Sequence, residues 1–252
     1  MRESPLPMRK GVYILPNLFT TASLFAAFLS IMWAINGRFE IAALAIIISA
    51  VFDGLDGKVA RLTNSCSEFG VQYDSLADLV AFGVAPAILL YFWQLETFGK
   101  LGLMASFMYI LCGALRLARF NISTAVTSKK FFTGLPIPAA GCVVATLIFF
   151  SEFVPEAYTA SLLPKVCLGL TFVLALLMVS RIRYASFKEY GAIKAHPFGS
   201  LVTATLLFVL LASYPTLLGF LVMGGYVISG PIYTYLFMPR RHSKLLRELS
   251  KQ

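Results

Sequence analysis

Long apolar stretches alternate with short polar links along the whole chain. Each stretch approaches the roughly 20 residues that an α-helix needs to cross the hydrocarbon core of a bilayer. The pattern predicts an all-α polytopic membrane protein that forms a single integral membrane domain over residues 1–252. The eight predicted spans are 13–35, 40–60, 70–92, 101–119, 137–154, 162–180, 199–214 and 217–237.

The composition supports a membrane protein. Of the 252 residues, 58% are hydrophobic and only 13% are charged, whereas a soluble domain has about 25% charged residues. This excludes a disordered chain and an ordinary soluble fold. The four cysteines show neither CxxC spacing nor neighbouring histidines, so the sequence indicates neither a zinc site nor a disulfide framework.

The basic residues are distributed unevenly about the predicted spans. The chain has 21 Lys and Arg against 12 Asp and Glu, a formal net charge of +9. If the N-terminus is cytoplasmic, every Lys and Arg except Arg38, Lys100 and Lys165 falls on the cytoplasmic side, as the positive-inside rule requires. We therefore expect both termini to be cytoplasmic and the basic tail at 238–252 to lie on the inner leaflet. The charge then serves topology and anionic lipids, and no nucleic-acid partner is needed.

All four aspartates of the chain lie between positions 53 and 78. Asp53 and Asp56 are three residues apart on the second predicted helix, and Asp74 and Asp78 are four apart on the third, so each pair shares a helical face. Each carboxylate costs about 2.5–3.5 kcal/mol at the centre of a membrane helix, so four together need a cation. Oxygen ligands without His or Cys suit Mg²⁺ or Mn²⁺. Two such ions would suit phosphoryl transfer, where the charge of a pyrophosphate must be neutralised.

Small and basic residues accompany these acids. Gly57 and Ala60 leave space for a bulky ligand to approach the backbone, and Arg61 is placed to reach a phosphate. The acids lie at the cytoplasmic ends of their helices, where a soluble nucleotide can meet a lipid. A cation-coupled membrane transporter is the alternative from another class, because intramembrane acids also form ion pathways.

Residues 53–78 read DGLDGKVARLTNSCSEFGVQYDSLAD. They resemble the signature of the CDP-alcohol phosphotransferase family, D-x2-D-G-x2-A-R-x8-G-x3-D-x3-D, at every fixed position. The resemblance implies a homodimer with a six-helix catalytic core that transfers a phosphatidyl-type group from a CDP-linked lipid to an alcohol and releases CMP. It implies two divalent cations held by Asp53, Asp56, Asp74 and Asp78. It also implies that Asp78, the catalytic residue, takes the proton of the acceptor.

The same resemblance implies where the CDP moiety binds. Part of this site is a P-N-x-x-T segment on the first helix, at residues 16–20. Taken alone, an Asn and a Thr on one helical face would equally suit an interhelical hydrogen bond. The implied contacts of the CDP-lipid are Asn17, Thr20, Gly57, Ala60, Arg61 and Ser67.

Further stretches resemble the bacterial phosphatidylserine synthase branch of this family, among them GALRLARFN at 113–121, FTGLPIPAA at 132–140 and RYASFKE at 183–189. This branch implies CDP-diacylglycerol and L-serine as substrates. The position of the acids at the cytoplasmic ends of their helices predicts an active site that faces the cytoplasm at the cell membrane. Glycerol 3-phosphate or inositol phosphate as the acceptor, and an isoprenoid donor lipid, stay open as alternatives.

Serine carries a carboxylate and an ammonium, so its pocket should offer a cation and polar acceptors. Arg116 and Arg119 are three residues apart on one helical face, and both could point toward the pocket. A phosphorylated acceptor would also require cations, so charge alone does not distinguish the acceptors. The candidate serine-binding residues are Arg116, Arg119, Asn121, Arg183 and Lys188.

Overall fold

The computed structural model describes residues 14–63, 65, 67–124, 131–159, 161–185 and 215–237. These residues are mostly helical, and a short antiparallel ribbon pairs β1 (Phe131–Thr133) with β2 (Arg183–Ala185). The helices are α1 Ile14–Ile35, α2 Phe39–Leu62, α3 Glu68–Asp78, α4 Ala85–Trp93, α5 Lys100–Thr124, α6 Ile137–Phe150, α7 Glu156–Thr159, α8 Leu163–Val179 and α9 Pro215–Ile232.

Seven of the eight predicted spans coincide with helices of the structure. The predicted span at 199–214 lies outside the described residues, as do Lys188 and the tail at 238–252. The prediction of an all-α polytopic membrane protein is confirmed. In the described part of the chain, four helical segments are long and apolar enough to cross a membrane, and two apolar helices are shorter. The four are Ile14–Ile35, Glu68–Trp93, Lys100–Ile122 and Thr216–Tyr235, and the two are Ile137–Phe153 and Leu163–Val179.

The first two helices pack closely along matching stripes of small residues. The Ser23 and Ser49 hydroxyls lie 2.7 Å apart, and the Ser30 hydroxyl donates to the Ala42 carbonyl at 2.8 Å. Small side chains let helix backbones approach each other, and hydroxyls can then bond across the interface. The buried stripe of α1 includes Thr20, Ser23, Ala27, Ser30 and Ala34. That of α2 includes Ala42, Ala43, Ala45 and Ser49.

A π-helical turn, Leu79–Val84, separates α3 from α4 and begins directly after Asp78. Such a turn disturbs the regular helical hydrogen bonding, and it is frequent near functional sites. Tyr109 of α5 is fully buried, and its hydroxyl donates to the Phe82 carbonyl of the turn at 3.1 Å. The hydrogen bond ties α5 to the turn that follows the fourth aspartate.

The β ribbon joins the loop before α6 to the loop after α8. Gly134 follows β1 with a φ of +83°, in the left-handed region. A Cβ at this position would lie 2.3 Å from the Met178 carbonyl oxygen. Glycine is therefore required there both by its backbone conformation and by the close approach of the end of α8.

Candidate active site

Three of the four aspartates converge between α2 and α3. One carboxylate oxygen from each of Asp53, Asp56 and Asp74 lies within 4.8 Å of the others. Oxygens on opposite sides of a Mg²⁺ ion lie about 4.2 Å apart, twice its ligand distance of about 2.1 Å. Small side-chain rotations would thus bring the three oxygens onto one ion. A group of three carboxylates is a hard donor set that fits Mg²⁺ or Mn²⁺, so these residues could hold a divalent metal.

Asp78 lies next to this group. It is one turn after Asp74 on α3, and its carboxyl group lies within hydrogen-bonding reach of that of Asp53. The fourth aspartate therefore borders the candidate metal ligands.

Helix α1 reaches the cluster through Thr20. The Thr20 hydroxyl lies 2.7 Å from Oδ2 of Asp56, to which it donates, and 3.2 Å from the Pro16 carbonyl oxygen. Asp56 is buried. Because the Thr20 hydroxyl donates to one of its two carboxylate oxygens, the hydrogen bond holds the carboxylate in one orientation. Thr20 is thus a partner of a candidate metal ligand, and its predicted contact with the nucleotide stays a prediction.

Two predicted CDP contacts meet at the start of α3. The Ser67 side chain caps this helix by accepting a hydrogen bond from the Gly70 amide at 3.0 Å. A Cβ at Gly70 would lie 3.1 Å from Ser67 Oγ and 3.6 Å from Asn17 Oδ1. Asn17 and Ser67 therefore lie on either side of Gly70, although they are 50 residues apart in the chain.

The remaining predicted CDP contacts lie on the last turns of α2. A Cβ at Gly57 would have the Arg61 guanidinium as its nearest neighbour beyond the helix backbone, with Nη2 at 3.9 Å. The Arg61 side chain thus extends alongside Gly57, as the spacing of one turn predicts, and it is exposed. Ala60 is half-buried beside it.

Asn121 of α5 is joined to α3 beside the aspartates. Its amide nitrogen donates to Ser75 Oγ at 3.1 Å, and Ser75 Oγ lies 3.3 Å from the Asn121 amide oxygen. Ser75 directly follows Asp74. Asn121, a candidate serine-binding residue, therefore lies next to the aspartate cluster. Sequence reasoning missed Ser75, which the signature leaves variable.

Arg116 is a buried cation near the fourth aspartate. The residue is only 7% exposed, and its guanidinium carbon lies 5.4 Å from the centroid of the Phe120 ring. It is close enough to Asp78 and to Tyr226 of α9 to interact with both electrostatically. A buried guanidinium at this place is suited to the carboxylate of an acceptor.

Arg119 faces a different part of the molecule. Its guanidinium donates to four main-chain carbonyls at 2.9–3.2 Å. Carbonyls at the end of a helix lack partners within that helix, so Arg119 satisfies the end of α8 and ties α5 to β1. Its predicted role in serine binding stays a prediction. The four carbonyls belong to Thr133, Met178, Val179 and Ser180.

Arg183, the last described acceptor candidate, lies on β2, and its side chain is exposed. Its backbone amide donates to Thr234 Oγ1 at 2.9 Å, in the π-helical turn Tyr233–Phe237 after α9. The structure therefore brings Arg116 and Asn121 to the aspartates, and it gives Arg119 and Arg183 contacts with the ribbon and its surroundings.

The fold and the cluster define an integral membrane protein with an acidic site suited to divalent metal. A family model described as CDP-alcohol phosphatidyltransferase matches residues 13–173, which include α1 and the whole aspartate signature. The chain belongs to the CDP-alcohol phosphatidyltransferase family.

Several relatives are similar over most of their length. The chain is 44% identical over 178 residues to the CDP-diacylglycerol–serine O-phosphatidyltransferase of Helicobacter pylori strain J99, covering 71% of this chain and 74% of that protein. It is 36% identical over 180 residues to the archaetidylserine synthase of Methanothermobacter thermautotrophicus, covering 71% and 72%. It is 35% identical over 178 residues to the CDP-diacylglycerol–serine O-phosphatidyltransferase of Bacillus subtilis, covering 71% and 93%.

Proposed function

We propose that this protein transfers the phosphatidyl group of CDP-diacylglycerol to the hydroxyl of L-serine, giving phosphatidylserine and CMP. The observation that carries the proposal is the convergence of three signature aspartates from α2 and α3, with the fourth, Asp78, beside them and near the buried Arg116. The names of the relatives support serine as the acceptor, because they share serine even where the lipid part of the name differs.

The donor site uses the residues around the cluster. Asp53, Asp56 and Asp74, together with Asp78, would hold two Mg²⁺ or Mn²⁺ ions, which neutralise the charge of the pyrophosphate. Thr20 fixes the orientation of Asp56 through their hydrogen bond. The CDP moiety is bound by Asn17, Thr20, Gly57, Ala60, Arg61 and Ser67.

The transfer is one displacement at phosphorus. The serine hydroxyl oxygen forms a bond to the lipid-side phosphorus, and Asp78 accepts the hydroxyl proton. The bond from that phosphorus to the CMP oxygen breaks, and CMP departs with the electron pair. An aspartate is a weak base for an alcohol, so rigid placement of the hydroxyl against Asp78 contributes much of the rate.

Arg116 binds the serine carboxylate in this proposal. A buried guanidinium forms strong paired hydrogen bonds with a carboxylate, and Arg116 lies on the Asp78 side of the site. Asn121 offers a polar group beside Asp74 through its contact with Ser75. Arg119, Arg183 and Lys188 complete the set of candidates.

We further infer that residues 1–252 form one domain in the cell membrane, with both termini and the active site on the cytoplasmic side, and that the protein is a homodimer. The asymmetry of basic residues supports the orientation. A site on the cytoplasmic side would be accessible to water-soluble serine and would release CMP into the cytoplasm.

The test uses detergent-purified protein with CDP-diacylglycerol and Mn²⁺ or Mg²⁺. CMP release is measured separately with L-serine, glycerol 3-phosphate and inositol phosphate. Release with serine alone is the expected result, whereas release with only another alcohol would reassign the acceptor. Absence of release with all three, together with ion uptake into liposomes, would favour the transporter. An isoprenoid CDP-lipid in the same assay tests the choice of donor.

A further inference from the structure

The last described helix, α9, lies beyond the residues that match the family model, which end at 173, yet it is packed onto the family core. Its Phe220 ring stacks on Phe150 at the end of α6, with centroids 4.7 Å apart. The next contacts follow at helical spacing along the same face, through Met223, Tyr226 and Val227. This helix is therefore attached firmly enough to contribute side chains to the active site.

Tyr184 of β2 anchors the C-terminal part of α9. A Cβ at Gly230 would lie 2.3 Å from the Tyr184 ring, so the ring occupies the space that only glycine leaves free. Burial raises the pKa of Tyr184 to about 12, so its hydroxyl stays protonated and donates to the Val227 carbonyl at 3.2 Å. The fully buried Tyr184 thus sets the position of α9 relative to the ribbon.

Tyr226 is positioned by this anchor. It lies one turn before Gly230 on the same helical face, and its ring centroid is 5.6 Å from that of Tyr184. It is also close enough to the Arg116 guanidinium to interact with it electrostatically. Since Arg116 interacts in turn with Asp78, a line of polar groups runs from the fourth aspartate to α9.

The chemistry of this line fits the carboxylate of an amino acid. A carboxylate offers about four acceptor positions, and one guanidinium fork fills only two of them. A phenol hydroxyl in the neighbourhood of the guanidinium is a neutral donor that adds a hydrogen bond without adding charge. A phosphate monoester would instead favour a second cation.

We propose that Tyr226 is an acceptor-binding residue that determines specificity, its hydroxyl donating to the serine carboxylate beside Arg116. This inference rests on the proposed function. The acceptor site would then combine a cation from the family core with a tyrosine from a helix outside the family match.

The test compares Tyr226→Phe with Tyr235→Phe, a matched loss of a hydroxyl at a position that is 72% exposed in the π-helical turn after α9. Loss of one hydrogen bond to a charged group should raise KM for L-serine about 10-fold or more in Tyr226→Phe. The kcat at saturating serine and the KM for CDP-diacylglycerol should stay unchanged, and Tyr235→Phe should match the parent protein.

Inhibition by ethanolamine supplies the second measurement, because ethanolamine keeps the hydroxyl and ammonium of serine but has no carboxyl group to accept from Tyr226. Its inhibition constant should be the same for Tyr226→Phe and for the parent. An unchanged KM for serine, an equal loss of ethanolamine affinity, or a joint fall in kcat and melting temperature that indicates a packing role would each overturn the inference. If the parent protein releases no CMP with serine, the proposed function itself fails, and that result is obtained before any variant is made.

Discussion

Asp78 differs from the other three aspartates in its surroundings. Asp53, Asp56 and Asp74 form the group whose oxygens lie within 4.8 Å of one another, whereas Asp78 contacts Asp53 and interacts with Arg116. It therefore borders both the candidate metal ligands and the candidate acceptor pocket. This is the position that a general base needs in order to reach the acceptor hydroxyl.

Replacement of Asp78 by asparagine tests this role. Asp78→Asn keeps the shape of the side chain but removes its capacity to take a proton, so CMP release should fall about 10²-fold to 10⁴-fold. Binding of radiolabelled CDP-diacylglycerol should be largely retained. Glu68→Gln, an exposed carboxylate on the same helix, is the control and should remain active. Near-normal turnover of Asp78→Asn would show that another group is the base.

Thr20 offers a second residue-scale test, because the family resemblance and the structure give it different partners. Thr20→Val is nearly isosteric and removes the hydrogen bond to Asp56. Loss of a partner that orients a metal ligand typically costs 10-fold to 100-fold in metal affinity or activity. We therefore expect the Mn²⁺ concentration for half-maximal CMP release to rise by about that factor.

The matched control is Thr21→Val, whose hydroxyl lies 2.9 Å from the Tyr73 hydroxyl on an exposed surface of α1. It should leave the metal requirement unchanged. If Thr20→Val instead raises only the KM for CDP-diacylglycerol at saturating metal, Thr20 acts as a nucleotide contact and its bond to Asp56 is secondary.

At the scale of elements, α5 carries two arginines with different tasks. Arg116 lies near Asp78, whereas Arg119 binds the end of α8 and β1. A spacing of three residues predicts a shared helical face, but it does not determine where two long side chains end. The four carbonyls that Arg119 contacts come from segments more than ten residues away along the chain, so no local pattern could have indicated them.

Arg119→Lys tests the connection between these elements. A lysine has a single nitrogen and cannot span four carbonyls, so several hydrogen bonds from a charged donor are lost, each worth about 1.5–3 kcal/mol. The melting temperature in detergent should fall by several degrees. Arg181→Lys, at an exposed neighbouring position, should melt like the parent. An unchanged melting temperature with a raised KM for serine would identify Arg119 as a serine ligand.

The helices were more predictable than their connections. The predicted span 13–35 matches α1 to within one residue, because apolar length is a property of the sequence itself. The aspartate cluster was predictable for a similar reason, since helical spacing fixes the shared faces. The ribbon β1–β2 was not, because each strand has three residues and depends on a partner about 50 positions away. Tyr226 was missed because its approach to Arg116 depends on how Tyr184 fits against Gly230.

At the scale of the whole molecule, the site lies at one end of the helices. The signature acids of α2 lie near its C-terminal end, close to the link between α2 and α3. The turn between α1 and α2 lies at the opposite end of α2, and α5 begins at the end of α4 that is remote from α3. Two of the three basic residues assigned to the outer side, Arg38 and Lys100, are at these opposite ends. The helix order of the structure is therefore compatible with the orientation that the charges predict.

Labelling of single cysteines in the full-length protein tests this orientation. In a background with the four native cysteines replaced by alanine, Arg38→Cys, Lys100→Cys and Thr63→Cys each introduce an exposed thiol. A membrane-impermeant maleimide should label the first two in intact cells, because the orientation that the positive-inside rule predicts places positions 38 and 100 on the outer side. It should label Thr63→Cys, at the end of the helix that carries Asp53 and Asp56, only after the cells are opened. Labelling of Thr63→Cys in intact cells would place the site outside, where cytoplasmic serine could not reach Asp78.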